Sequence, residues 1–407
     1  MTEILFYENP MITECSAKVL SCEPSGGNYN IILDRSMIFP EMGGQLSDTG
    51  KIDDIPVISA VKADDDIIHV CTAPLEIGKT VSVQLDIPPR LDHTEQHTGE
   101  HILSGLASKL FGAKNVGFHM APSYCTIDFD IFLDTEQLNT LERAANAAVR
   151  ANLPIHAETV SFEESSRRTL RKQAEKLNSE SGDVRIVYID NGKVDSCTCC
   201  GTHFPATGMV GSIKITDGKR YKGGTRLTFL CGARAVDYAI TLHDGVCAVA
   251  REYSTSPEEL PVSIHKQQRE LSEAKAALHA KAVFTAELYS EKLLRETEPV
   301  NGIFPIVLYH EDFSAEDVKQ LQEYLTKKAD SVILIFTKSE QNVDYRMMCS
   351  KGLKLSMKEL CSAVNPLVRG KGGGNAILAQ GKTSYPVTDD IIETLRNYLC
   401  RMLSDRS

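Results

Sequence analysis

The sequence predicts a multidomain α+β protein: a small N-terminal β-barrel, an α+β core carrying a zinc site, a long linker helix and a C-terminal α/β domain. Three observations predict it. The start of the chain consists of short β-branched or alternating runs between Gly, Asp, Asn and Pro turns, with no helical period. A helical pattern carrying histidines at four-residue steps comes next. A long alanine-rich stretch then leads into a final region where strand and helix patterns alternate. The expected divisions are 1–90 for the barrel, 91–250 for the zinc-binding core, 251–298 for the linker helix and 299–407 for the Gly-rich C-terminal domain.

The elements follow in order. Glu14–Glu23, Tyr29–Phe39, Asp66–Cys71 and Thr80–Leu85 read as strands. Pro88-Pro89 punctuates the chain. Ile102, Leu103, Leu106, Leu110 and Phe111 then make Asp92–Phe111 helical. Tyr124–Phe132 reads as a strand. Leu138, Leu141, Ala144, Ala145, Ala148 and Val149 stripe a helix from Asp134 to Ala151. Glu163–Lys176 is expected to be a further helix. Val184–Ile189, Met209–Ile215 and Arg226–Leu230 are expected strands. Ser256-Pro257-Glu258-Glu259 has the N-cap Ser, N1 Pro and N3 Glu of a helix start. Pro261 offers a restart, and Ile264–Leu294 is a long helix that suits a connector or a dimer stalk. Strands at Ile303–Leu308, Ser331–Thr337 and Tyr345–Cys349 alternate with helices at Ser314–Lys328, Ser356–Val364 and Asp389–Met402.

Composition excludes several classes. Among 407 residues 42% are hydrophobic and 24% charged, ordinary for a packed globular chain. The longest aliphatic run, Val332–Phe336, falls far short of the ~20 residues that span a bilayer, so no membrane association is expected. The start lacks a basic segment followed by an apolar one, and a cytoplasmic location is expected. With 44 basic and 55 acidic residues the net charge is −11. That argues against coating nucleic acid through bulk charge, but not against reading it through local basic patches. The 12 cysteines do not suggest a disulfide framework in a reducing compartment. They cluster only at Cys197, Cys199 and Cys200, just before His203, which points to metal.

His93, His97 and His101 are four apart, and each such step advances a helix by only ~40°. Their imidazoles therefore share one stripe, the spacing at which two can reach one cation. Cys199 and His203 repeat the gap in a Gly/Thr-rich turn. His97, His101, Cys199 and His203 together give three nitrogens and a thiolate, a set that suits one Zn²⁺ per chain. Surface helices also carry such pairs by chance. Cys197 and Cys200 compete for the thiolate position, and His93 is a ligand, a neighbour of one, or exposed.

At these residues the sequence resembles the editing domain of alanyl-tRNA synthetase and its free-standing, long-form AlaX-like relatives. His97-Thr98-Gly99-Glu100-His101 is similar to the family's HxxxH motif, and Cys199-Cys200-Gly201-Thr202-His203 to its CxxxH motif. Phe39 to Gly50, around Gly43-Gly44-Gln45, resembles the barrel segment that precedes the editing core. Lys222-Gly223-Gly224-Thr225-Arg226 resembles the strand that closes it. Arg369-Gly370-Lys371-Gly372-Gly373-Gly374 with Ala379-Gln380-Gly381 resembles the Gly-rich motif of the DHH-associated domain. The motifs stand in family order along nearly the whole chain. Three positions depart: Met42 stands where a glycine is common, Glu100 where synthetases carry a small hydroxyl residue, and Phe118 near where they carry a polar one.

The resemblance implies a hydrolase that cleaves the aminoacyl ester of tRNA(Ala) mischarged with serine or glycine. The barrel begins within the first 15 residues and no ATP-binding aminoacylation domain precedes it, so the expected enzyme works in trans and without ATP. Glu100, near the metal stripe, is expected to orient water or read the substrate ammonium, and Gln45 to reach the substrate. Asp128 is a candidate partner for a ligating imidazole. Lys214, Lys219, Arg220, Lys222, Arg226 and Arg234, with Tyr221 among them, form a basic strand-turn-strand suited to a CCA end. Lys222 and Arg226 are its chosen tRNA contacts. Arg369, Lys371 and Gly372–Gly374 are read as a tRNA-contacting loop. A homodimer through the linker helix or the C-terminal domain is a further expectation. Competing readings are a non-catalytic, zinc-stabilised tRNA-binding protein, a threonyl-type editing domain, and a DHH-type phosphoesterase. The last is disfavoured because no Asp-His-His cluster is present.

Overall fold

The computed structural model describes residues 1–173, 183–339 and 341–405. The chain forms two compact units, Met1–Ala248 and Val249–Ser407. The architecture is mixed α+β and includes a closed barrel.

The first unit begins with strands β1 (Glu3–Ile4), β2 (Glu14–Ser25), β3 (Asn28–Leu33), β4 (Arg35–Ser36), β5 (Gly50–Ile52), β6 (Ile55–Ala63), β7 (Asp66–Cys71) and β8 (Thr80–Leu85). Six of them close a barrel in the order β2-β3-β7-β6-β5-β8. Side chains alternate in and out along each strand, so Val81, Val83 and Leu85 of β8 and Ile67, His69 and Cys71 of β7 fill the interior. The expected single strand Tyr29–Phe39 is divided at Asp34. That residue turns the chain, its carboxylate accepting from Lys18 N at 2.7 Å. β6 carries Pro56 at its second position, a residue type that strands confine to their starts and edges, so it gives no clean strand pattern in the sequence.

Helix α1 (Ile87–Phe111) follows, with prolines in its first turn and Gly112 in the left-handed C-cap. Next come β9 (Asn115–Met120), β10 (Cys125–Phe129), α2 (Thr135–Arg150), β11 (Ile155–Ser161), α3 (Phe162–Ser166), β12 (Asp183–Ile189), β13 (Asp195–Thr198), β14 (Ile213–Tyr221), β15 (Gly224–Cys231) and α4 (Gly232–Glu252). One sheet has the order β14-β15-β10-β9 and another β11-β12-β13. α1 is buried on most of its circumference. Gly99 and Gly105 allow this: a methyl group at Gly99 would run into Cys231 Sγ of β15, and one at Gly105 into the Val194 carbonyl beside β13.

The expected helix Glu163–Lys176 stops at Ser166; its positions 174–176 lie outside the described residues. Beyond Ser166 the chain runs beside β13 instead. Arg171 N donates to Ser196 O at 2.8 Å and Thr198 N to Lys172 O at 3.3 Å, bonds a continued helix would forgo. The expected strand Met209–Ile215 begins only at Ile213, after a 3₁₀ turn.

The second unit contains α5 (Leu260–Glu296), β16 (Phe304–His310), α6 (Ala315–Lys328), β17 (Ser331–Lys338), β18 (Val343–Cys349), α7 (Met357–Leu367), β19 (Lys371–Gly374), β20 (Leu378–Thr383) and α8 (Asp389–Ser404). Its sheet has the order β16-β17-β18-β20-β19. Leu334 and Phe336 pack with α7 and α8 on one face, Ile333 and Ile335 with α6 on the other. The Gly-rich run read as a loop is the edge strand β19. α5 starts at Leu260, with Pro261 in its first turn, rather than after Ser256. Among the described residues no helix is long and apolar enough to cross a membrane.

Candidate metal centre and its cleft

Two segments meet to make the site. α1 presents His97 and His101 one turn apart, and the loop after β13 presents Cys199 and His203. One donor atom from each lies within 4.8 Å of all the others. Cys199 Sγ stands 3.3 Å from His97 Nε2 and 3.4 Å from His203 Nε2. These separations are close to the edges of a tetrahedron with arms of ~2.0–2.3 Å, as zinc takes from nitrogen and sulfur.

The far nitrogen of each imidazole has its own partner, which turns the Nε2 atoms inward. His97 Nδ1 bonds Gln45 Oε1 at 2.8 Å, His101 Nδ1 bonds Asp195 Oδ2 at 2.8 Å, and His203 Nδ1 lies 3.4 Å from Thr98 Oγ1. Such outer partners fix ring orientation and tautomer in metal sites. Arg171 in turn grips Asp195 through two bonds, at 2.7 and 3.0 Å. Burial by itself raises the Cys199 thiol, yet the three imidazoles hold it well below the usual range. Burial and the facing His101 push His203 down to about 3. Bonds from His101 and Arg171 overcome burial to hold Asp195 at about 2. A thiol held ready to ionise beside three imidazole nitrogens is a donor set that suits a soft-to-borderline cation, so the residues present fit a metal of zinc type.

The ligand loop is itself held. Arg185 donates to the carbonyls of Cys199 at 2.9 Å and Gly201 at 3.0 Å, and Tyr7 Oη donates to Cys200 O at 2.8 Å. Gln45 also accepts from Thr202 N at 3.1 Å and donates to Thr202 Oγ1 at 2.9 Å. All its amide atoms are spent on the loop and on His97, and it is fully buried. In this arrangement the Gln45 amide faces the His97 ring and Thr202.

His97, His101 and Cys199 line a cleft of about 830 Å³, joined by Glu100, Asn115, Phe118 and Arg171. Glu100 is buried, not an exposed helix carboxylate. Its Oε1 accepts from Ser104 Oγ at 2.5 Å and Asn115 Nδ2 at 2.7 Å, while Oε2 lies 3.6 Å from His101 Nε2. The Phe118 ring centroid is 5.5 Å from that of His97. His93 is buried outside the cluster, with Nδ1 unbonded. Cys197 is buried beside His101 and Asp195 as a second, overlapping group, and Cys200 is exposed.

The basic hairpin is less free than its composition suggests. Lys214 pairs with Glu142, Arg234 with Asp92, and Arg226 with Asp128 through bonds of 2.6 and 2.7 Å. Asp128 thus serves Arg226, not an imidazole. The Arg226 guanidinium also lies 3.7 Å from the Tyr221 ring centroid, and Lys222 Nζ lies 5.2 Å from it. In the second unit Arg369 sits over Tyr385 at 4.6 Å, while Lys371 lines a separate cleft. Asp195, Arg171, Thr98, Thr202 and Arg185 carry the site's support. Sequence reading passed over Asp195 altogether, because one Asp in a four-residue strand has no pattern.

The comparisons agree with the order of these parts. Residues 184–228 match the family described as Threonyl and Alanyl tRNA synthetase second additional domain, and residues 302–400 match the DHHA1 domain. An alanyl-tRNA editing protein, AlaX-L, of Pyrococcus horikoshii is 28% identical over 98% of this chain and 100% of its own length. The alanyl-tRNA editing protein Aarsd1-A of Xenopus laevis is 29% identical over 69% of this chain and 72% of its own. An alanine–tRNA ligase of Ignicoccus hospitalis is 27% identical over 100% of this chain, which spans 44% of that enzyme.

Proposed function

The chain resembles the free-standing, long-form AlaX-like alanyl-tRNA editing proteins from end to end, and we propose that it is a trans-editing hydrolase of mischarged tRNA(Ala). Its substrates in this reading are Ser-tRNA(Ala) and Gly-tRNA(Ala), with Ala-tRNA(Ala) spared. The observation that carries the reading is the His97, His101, Cys199 and His203 cluster at the wall of a cleft that also holds a buried carboxylate, Glu100.

Zn²⁺, held one per chain by those four residues, would supply Lewis acidity or lower the pKa of a water. The chain's own groups do the rest. Gln45, Asp195 and Thr98 hold the imidazoles in place. Ser104 and Asn115 fix one oxygen of Glu100, which leaves the other to orient a water or hold the ammonium of the aminoacyl group. Phe118 gives the cleft an apolar wall beside His97 that suits a small amino acid. Lys222 and Arg226 on the hairpin, and Arg369, Lys371 and Gly372–Gly374 in the second unit, are the proposed tRNA contacts. We place the protein in the cytoplasm, in keeping with twelve free cysteines. A second copy of the chain is the proposed protein partner, supported by exposed Leu271, Leu278, Phe284 and Leu288 on α5.

A full set of four protein donors is the pattern of structural sites, and it favours a second reading: a zinc-stabilised tRNA-binding protein without turnover. Measuring release of serine, glycine and alanine from charged tRNA(Ala) separates the two. Release of serine or glycine with alanine retained is the expected result; three intact esters with the metal bound would leave the binding module.

A further inference from the structure

Three arginines follow one another closely after α3, and only one turns inward. Arg167 pairs with Glu163, and Arg168 with Glu158 and Glu164. Arg171 instead has a side chain only 9% exposed. The backbone here is tied to β13, with Arg171 N donating to Ser196 O and Lys172 O accepting from Thr198 N. That placement sets the guanidinium beside Asp195 and at the wall of the cleft that holds Glu100.

Two of the three guanidinium nitrogens are used. Nε donates to Asp195 Oδ1 at 2.7 Å and Nη2 to Asp195 Oδ2 at 3.0 Å, a fork that fixes the plane of the group. Nη1 makes no hydrogen bond among the described residues. Glu100 Oε1 lies 3.9 Å from it, beyond hydrogen-bond range, and that oxygen already accepts from Ser104 and Asn115. The cleft wall thus offers a positive donor at Arg171 Nη1 and, at Glu100 Oε2, a carboxylate oxygen that Ser104 and Asn115 leave open. An α-aminoacyl ester presents the complement: an ammonium for the carboxylate and, one carbon further on, a carbonyl oxygen for the donor.

We propose that Arg171 is a further catalytic residue, whose Nη1 donates to the carbonyl oxygen of the aminoacyl ester and stabilises the negative charge that forms there. The assignment rests on the editing reading above. In the hydrolysis a water oxygen bonds to the acyl carbon, and the carbonyl π pair moves onto oxygen. That pair re-forms the double bond as the bond from acyl carbon to ribose oxygen breaks. One water proton ends on the departing ribose oxygen, and the other stays with the amino acid until its carboxyl ionises. A largely buried guanidinium locked by Asp195 meets the transient charge without reorganising, the condition under which such donors count most.

The test uses the full chain with zinc bound and Ser-tRNA(Ala) as substrate. Arg171→Lys keeps a charge beside Asp195 but loses the fork and its spare nitrogen. Arg171→Gly opens space for an added guanidinium ion. Both are expected to lose about 100–1,000-fold in kcat per bound zinc, with KM nearly unchanged. Guanidinium below denaturing concentration should restore part of kcat in Arg171→Gly, and methylammonium should not. Two stable probes give a reading without turnover: adenosine carrying serine through an amide on its ribose, and adenosine carrying the tetrahedral, anionic serine phosphonate. Arg171→Lys should weaken the phosphonate several-fold more than the amide. A purely structural role predicts another pattern, in which zinc affinity falls and both probes weaken alike. That pattern, or kcat per bound zinc within about threefold of the parent in both variants, overturns the proposal. A parent protein that holds zinc yet leaves all three esters intact sinks the editing reading and this assignment with it. A parent that cleaves Ser-tRNA(Ala) while both variants match it sinks the assignment alone.

Discussion

Gly201 has no room for a methyl group. Built there, it would stand inside contact distance of His97 Cε1 and 2.9 Å from Gln45 Oε1. Gly201→Ala must therefore push His97 off its partner, and elemental analysis of the purified variant should show most of the metal lost. A variant that retains one metal per chain would mean that the loop moves as a body. Asp195→Asn tests the support of the other ring. It removes the negative charge shared by His101 and Arg171, and metal affinity should fall by roughly 10–100-fold in chelator competition. Unchanged affinity would assign Asp195 to folding alone. His69 offers a test away from the site. It is buried inside the barrel between Ser36 Oγ at 2.7 Å and Ile31 O at 3.1 Å, and burial lowers its pKa from 6.5 to about 4. In the unfolded chain it takes up a proton near its ordinary pKa, whereas in the folded chain it resists until about pH 4. The stability it contributes is thus present above about pH 6.5 and drains as pH falls toward 4, by about 3 kcal/mol in all. Urea midpoints between pH 4 and 7 should show a steeper acid loss for the parent than for His69→Gln; parallel curves would rule the histidine out as the cause.

Among the elements, α1 is the one on which the first unit turns. Most of its buried polar residues find a partner, His93 Nδ1 being the exception. Gln96 donates to Cys231 O at 3.0 Å and accepts from Cys231 N at 2.8 Å, and Thr94 bonds Thr202 Oγ1 at 2.8 Å. Arg90, only 1% exposed, pairs with Asp48 and donates to the carbonyls of Pro10 at 2.7 Å and Met37 at 2.6 Å. Arg90→Met leaves Asp48 charged in a dry interior, so unfolding should become easier by about 3–5 kcal/mol. Denaturant titration measures it, and a loss under about 1 kcal/mol would mean that water reaches Asp48. The histidine stripe on this helix is legible in the sequence because four-residue spacing survives any packing. The brace is not: a single Arg and a single Asp 42 positions apart announce nothing. β19 is illegible for the opposite reason. Three consecutive glycines have no strand preference, and only pairing with β20 extends them. α4 was passed over entirely, since Val236, Ile240 and Leu242 are exposed and give it no clean apolar stripe.

For the whole molecule, division into Met1–Ala248 and Val249–Ser407 places the His/Cys cluster in the first unit and the Gly-rich strand β19 in the second. A chain ending near residue 298 should keep its zinc and, at saturating substrate, nearly all its deacylation rate, while KM for charged tRNA rises. Steady-state kinetics check this; an unchanged KM would give the second unit another task, such as pairing two copies through α5. The order of motifs along the chain is legible, because sequence keeps order even where it hides contacts. Which cations stay free is not, because pairs such as Arg226 with Asp128 form across strands nearly a hundred positions apart. The same long separation bears on how the protein is made. His97 and Cys199 stand 102 positions apart. At about 5–20 residues per second on the ribosome, the histidine helix emerges about 5–20 s before the cysteine that meets it. For that interval a nascent chain shows half a binding site to the cell, open to any cation or chaperone that finds it first.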